Sequence, residues 1–162
     1  MDTKEQQVER RARPRPARES RRQAREGALQ MLYQWEVGGA SPDDVVSTFW
    51  RAHGPEPPLT ERGRAFAEHL VRGTVGDLAS IDPLLAAAAA NWRLDRMAIV
   101  DRLILRLAVF ELRHEAGTPP AVVINEAIEL ARTFSGDESV GFINGVLDGV
   151  RKALAAGAAQ GS

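Results

Sequence analysis

From Asp95 to Glu115 apolar side chains recur on almost every side of a helical projection: Met97, Val100, Leu103, Ile104, Leu107, Ala108, Phe110 and Leu112. A helix that is apolar all round is enclosed by other elements, so this segment predicts a central helix on which the rest of the chain packs. Its polar residues, Asp95, Arg102, Arg106 and Arg113, make one stripe. Gly117 ends it, and Thr118-Pro119-Pro120 starts the next helix.

The remaining segments supply helices to surround it. Ser20 followed by Gln23 has the form of a capping box, and Ala24, Ala28, Met31 and Trp35 recur at helical spacing until Gly38 and Gly39. Ser41-Pro42-Asp43-Asp44 places a capping hydroxyl, a first-turn proline and two acids ahead of Val45, Val46, Phe49 and Trp50. After the loop from Gly54 to Pro58, Thr60 caps a third helix carrying Phe66, Leu70 and Val71, with Gly73 and Gly76 as weak points or places of close packing. Asp82-Pro83 opens a fourth helix through the alanine run Ala86 to Ala90. The sixth helix holds Ile124, Ala127, Ile128, Ala131 and Phe134, and the last aligns Val140, Ile143, Leu147, Val150 and Leu154. No strand pair and no internal repeat is evident. The expected fold is all-α, about seven helices arranged as two small bundles packed together.

The expected domain organisation is a disordered basic arm over 1–19, a single helical domain over 20–155 and a flexible tail over 156–162, because Pro14, Pro16 and low apolar content oppose order at one end and alanine and glycine at the other. Charge is distributed along the same division. Up to Arg25 the chain carries nine Lys and Arg against four Asp and Glu, so that a whole-chain net charge of −1 leaves the remainder at −6. An excess of five positive charges at one end suits a polyanionic partner, with a solvated tail as the alternative. MDTKEQQVER is charged where a signal peptide needs an apolar stretch, and no run approaches the roughly 18 apolar residues of a membrane span, so a soluble, cytoplasmic protein without membrane attachment is expected. The chain has no cysteine, which excludes thiol chemistry and disulfides.

Little in the sequence points to catalysis. His53, His69 and His114 fall on three predicted elements without a partner at a metal-ligand spacing, and no phosphate loop, dinucleotide fingerprint or nucleophile elbow is present. No enzyme activity, metal or cofactor is expected. Glu126 and Glu129 read as a solvated helix face. Binding is better supported, because arginines neutralise phosphate and stack on bases while aromatic rings hold unpaired ones. Arg22 and Tyr33 are eleven residues apart, close to three turns, and share a face with Glu26 and Leu29. For Tyr33 the competing reading is partial burial in the core. Phe142 lies about 100° from the Ile143 stripe, at the edge of the core or outside it. Asn125 and Asn144, inside apolar helical segments, read as buried amides that bond between helices or to loop backbone and fix the packing register, with ligand contact as the alternative, and Asp148 is placed with them.

RRQAREGALQMLYQW, LILRLAVFEL, VVINEAIELARTF and FINGVLD, in that order and at those separations, resemble the NusB family of transcription antitermination factors, from about Arg21 to Leu154. The resemblance implies a helical protein of two bundles that binds the boxA element of nascent ribosomal or phage RNA as a heterodimer with NusE, a small-subunit ribosomal protein. The complex then engages RNA polymerase with other Nus factors. The family's arginine-rich helix start carries RNA contact over to Arg21, Arg22 and Arg25, with Arg18 beside them, and Gln23 stands where the family has a further basic residue. The family tyrosine matches Tyr33, for RNA and partner. The aromatic near the last helix start matches Phe142, and the acid before it is Glu138. Ala121 replaces a basic residue sometimes found after the proline pair, and Asp101 corresponds to an acid where NusE and RNA meet. Homodimerisation through the NusE face is a further expectation. An RNA-positioning module related to that of RNA cytosine methyltransferases is the alternative function, followed by a protein-interaction module without RNA affinity.

Overall fold

The computed structural model describes the backbone of residues 17–55, 58–90 and 93–160, and their side chains except those of 17–19 and 159–160. Among these residues the chain forms seven α-helices: α1 Ala17–Gly38, α2 Pro42–His53, α3 Glu61–Gly76, α4 Leu78–Ala88, α5 Ile99–His114, α6 Pro120–Phe134 and α7 Val140–Gln160. Short 3₁₀ turns, Leu94–Arg96 and Asp137–Ser139, precede α5 and α7. Helices α1 to α3 pack into one bundle and α4 to α7 into a second, and α5 packs against members of both. The all-helical, two-bundle expectation is borne out. No helix among the described residues is long and apolar enough to cross a membrane.

The local signals explain most helix ends. Ser41 Oγ accepts from Asp44 N at 3.2 Å and Thr60 Oγ1 from Gly63 N at 3.1 Å, each satisfying an amide that has no partner inside its helix. Gly39 closes α1 with φ +71, a conformation that glycine adopts without the cost a side chain carries. Several boundaries differ from expectation, and α5 itself begins at Ile99, after the 3₁₀ turn that holds Asp95. Helix α1 begins at Ala17, so Ser20 lies inside it and is not its cap. Helix α7 continues to Gln160, past the fraying expected after Leu154. Helix α4 begins at Leu78 and contains Pro83, because burying Ile81 and Leu85 favours an earlier turn. Asp82, expected at the helix start, instead receives Arg106 Nε and Nη2, both at 2.9 Å.

Leu103, Ile104, Leu105, Leu107 and Val109 of α5 are all buried. The three arginines of its polar stripe are ties to neighbouring elements, whereas Asp95 lies in the turn before α5, exposed and paired with Arg93 at 3.2 Å. Arg102 donates to Glu36 of α1 at 2.7 Å and to the Leu94 carbonyl at 2.9 Å, while Arg106 holds Asp82 of α4. Arg113 and His114 both reach Asp77 between α3 and α4, at 2.9 and 2.8 Å. Burial works to raise the Asp77 carboxyl, but these hydrogen bonds outweigh it and hold the group below its ordinary range.

Phe110 shows how closely α3 and α5 approach, since a Cβ added at Gly73 would lie 2.1 Å from its ring. Gly73→Ala is therefore expected to destabilise the fold by about 1–3 kcal/mol through overpacking, more than the roughly 1 kcal/mol that alanine gains over glycine in a helix. Urea denaturation measures this. Increased stability would contradict the close approach.

Candidate functional site

The arginines at the start of α1 differ in exposure according to their place on the helix. Arg25 is 3% exposed, and its Nε and Nη2 engage the equally buried Glu111 of α5 at 2.8–3.1 Å. One turn earlier Arg21 is exposed, its guanidinium 4.8 Å above the Phe66 ring of α3, with Arg25 5.5 Å from the same ring. Arg22 points toward α6, where its Nε and Nη2 meet Glu126 at 3.1 and 3.0 Å. Its side chain stays 39% exposed, and the hydrogen bonds it donates to the Glu126 carboxylate raise its pKa. Burial raises the pKa of the nearby Glu26, opposed by Arg22 and reinforced by Glu126. The Arg18 side chain and residues 1–16 lie outside the described residues.

Four expectations from the sequence differ from the structure. Glu126 is buried and holds Arg22 rather than lying on a solvated face, while Glu129 pairs with Arg132. Arg25 is withdrawn from solvent, which makes it a positioning residue for α1. Asn125 and Asn144 are exposed, make no interhelical bond among the described residues, and line an apolar-floored groove of about 850 Å³ with Leu112 and Ile128. Asp148 does not fix helix register either, because Arg151 and Lys152 of its own helix hold it and keep its pKa low. Gln23 is half-buried. The partner of Arg25 escaped the reading of the sequence, although Glu111, an acid between Phe110 and Leu112 in an apolar helix, was a signal of a buried ion pair.

The two rings lie at accessible margins. Tyr33 is 44% exposed rather than taken into the core, and borders a cleft of about 390 Å³ with Leu29, Gln30, Val100 and Phe134. Phe142 is half-buried at the core's edge, as its helical position predicted, in a cleft of about 250 Å³ with Arg96, Asp101, Glu138 and Ser139. Asp101 receives the hydroxyls of Ser135 and Ser139, and Glu138 is exposed. Ala121 is exposed beside Arg21 in a third cleft. Since Arg22 touches Glu126 early in α6 and Tyr33 lies beside Phe134 at its end, these two residues follow one edge between α1 and α6, about 16 Å along α1. His69 pairs with Glu115 at 2.8 Å, and no group of three metal-ligating side chains occurs among the described residues.

The fold and this edge define an all-helical, two-bundle module that presents cations at one end and aromatic rings at the other. A family model described as the NusB family matches residues 22–152, and the chain belongs to that family. It is 47% identical over 135 residues to the transcription antitermination protein NusB of Sorangium cellulosum, covering 83% of this chain and 94% of that protein. The corresponding protein of Solibacter usitatus is 47% identical over 136 residues, 83% of this chain and 90% of its own. Among solved structures, NusB of T. maritima aligns with a TM-score of 0.73 at 31% identity over 86% of this chain and 93% of that one. The NusB fold in a crystal structure of antitermination factors NusB and NusE in complex with dsRNA gives a TM-score of 0.74 at 26% identity, over 83% of this chain and 98% of that chain.

The split between buried and exposed arginines predicts different stability costs. Arg25→Ala leaves Glu111 buried without its partner and is expected to cost about 3–5 kcal/mol, whereas Arg21→Ala costs under about 1 kcal/mol. Chemical denaturation of both variants measures the difference, and equal costs would contradict it.

Proposed function

We propose that the chain is a transcription antitermination factor that binds boxA RNA of nascent ribosomal RNA transcripts together with NusE and acts, with other Nus factors, on elongating RNA polymerase. The observation that carries the proposal is the pairing of solvent-accessible cations, Arg21 and Arg22 on α1, with the accessible rings of Tyr33 and Phe142, on a fold shared with a structure of NusB and NusE in complex with dsRNA. In this reading Arg18 and Arg21 meet phosphates directly. Arg22 contributes the edge of its guanidinium that Glu126 leaves open, and Arg25 sets the helix in place. Tyr33 and Phe142 stack on unpaired bases, which are gripped through their faces whatever their sequence, and Glu138 accepts from a base amino group. NusE docks on the apolar surface of Tyr33, Val37 and Ile99, which are 44%, 57% and 38% exposed, with Asp101 at its border.

Fluorescence anisotropy of a boxA RNA oligomer, with and without NusE and against a scrambled oligomer, tests the proposal. Tighter binding to boxA that NusE strengthens is expected, whereas equal, weak binding to both RNAs would overturn it. Each phosphate contact contributes about 0.7 to the log–log salt slope for single strands, so Arg18→Ala with Arg21→Ala should flatten the slope by about 1.4. An unchanged slope would place the phosphate contacts elsewhere.

A further inference from the structure

We propose that Asp101 is a positioning residue whose carboxylate, gripped by the Ser135 and Ser139 hydroxyls, staples the turn between α6 and α7 to α5 and so places Glu138 and Phe142. The inference deepens the RNA reading above and rests on it.

Asp101 stands in the first turn of α5, while both serines lie between α6 and α7. Ser135 Oγ donates to Oδ1 at 2.5 Å and Ser139 Oγ to Oδ2 at 3.0 Å. The two hydroxyl oxygens are 2.9 Å apart, but each carries a single proton and spends it on the carboxylate. Both Asp101 oxygens are thus engaged in charge-assisted bonds, the stronger class, which fix the plane of the carboxylate and tie it to the turn. Asp101 acts through the turn it holds.

That turn is tightly specified. Gly136 has φ +151 and ψ +161, a conformation that strains any side chain, and a Cβ there would lie 2.7 Å from a Glu138 carboxylate oxygen. Gly136 N donates to the Ala131 carbonyl at 2.8 Å, closing α6, and Ser139 N donates to the Gly136 carbonyl at 3.1 Å. Ser139 immediately precedes α7, and Phe142 follows it by about one turn. The staple therefore sits between the carboxylate and the ring that share the 250 Å³ cleft with Arg96. Without it, the turn keeps its backbone bonds but loses its tie to α5.

The test uses the full chain with Ser135→Ala and Ser139→Ala together, which leaves Asp101, Glu138 and Phe142 intact. Affinity for a boxA RNA oligomer is expected to fall by about tenfold, the effect of roughly one net hydrogen bond to a charged group. Amide exchange across residues 136–142 of the free chain is expected to accelerate. Ser135→Thr with Ser139→Thr keeps both hydroxyls and should restore affinity and exchange. An alanine variant with wild-type affinity would overturn the proposal, whether or not its exchange accelerates. Accelerated exchange in a chain whose wild type does not bind the RNA would confirm the staple but overturn its role in RNA binding, and the RNA reading with it.

Discussion

The buried pair between Arg25 and Glu111 is the constraint from which the rest of the edge follows. Neither side chain has access to enough water to remain charged alone, so each requires the other, and the planar fork of the guanidinium permits only a narrow range of helix rotations. Helix α1 is thereby fixed against α5 in both rotation and register. Once Arg25 faces inward, Arg21 emerges one turn earlier over Phe66, Arg22 turns toward Glu126, and Tyr33 reaches solvent beside Phe134. An arginine-rich segment thus divides its labour: the inner residue anchors the helix so that the outer ones are held at a defined place on a rigid body.

Helix α5 extends the same logic to both bundles. Its apolar residues fill the core, but its charged residues decide which element lies where: Glu111 holds α1, Arg102 holds the far end of α1 through Glu36, Arg106 holds α4 through Asp82, and Arg113 holds the α3–α4 junction through Asp77. Apolar burial alone is tolerant of small rotations, whereas two-pronged ion pairs are not. The residues that carry the proposed function lie on α1, α6 and the turn before α7, which also touch directly, through Arg22 and Glu126 and through the Gly136 amide on the Ala131 carbonyl.

Local chemistry was legible in the sequence, and long-range partnership was not. Ser41, Thr60 and the α5 apolar run declare their roles within a few residues, because caps and periodicity are short-range. Phe142 could be placed at the core margin from its angle on the helix alone. Asp82 misled because a carboxylate before proline has the form of a helix start, while its partner Arg106 lies 24 residues away. Glu126 and Asn125, adjacent in sequence, exchanged expected roles: the acid is buried against Arg22 and the amide is exposed, an outcome set by how α6 is rotated against α1. The resemblance to NusB grouped Arg25 with Arg21 and Arg22 but gave no sign that Arg25 is buried against Glu111, since a motif records residue types and not burial.

Hydrogen–deuterium exchange of the chain, free and saturated with boxA RNA, tests the division between anchoring and contacting residues most directly. The account predicts added protection in two separate segments, residues 17–34 and 135–143, with no change in α2. Protection confined to α2 and α3, or absent from both predicted segments, would contradict it.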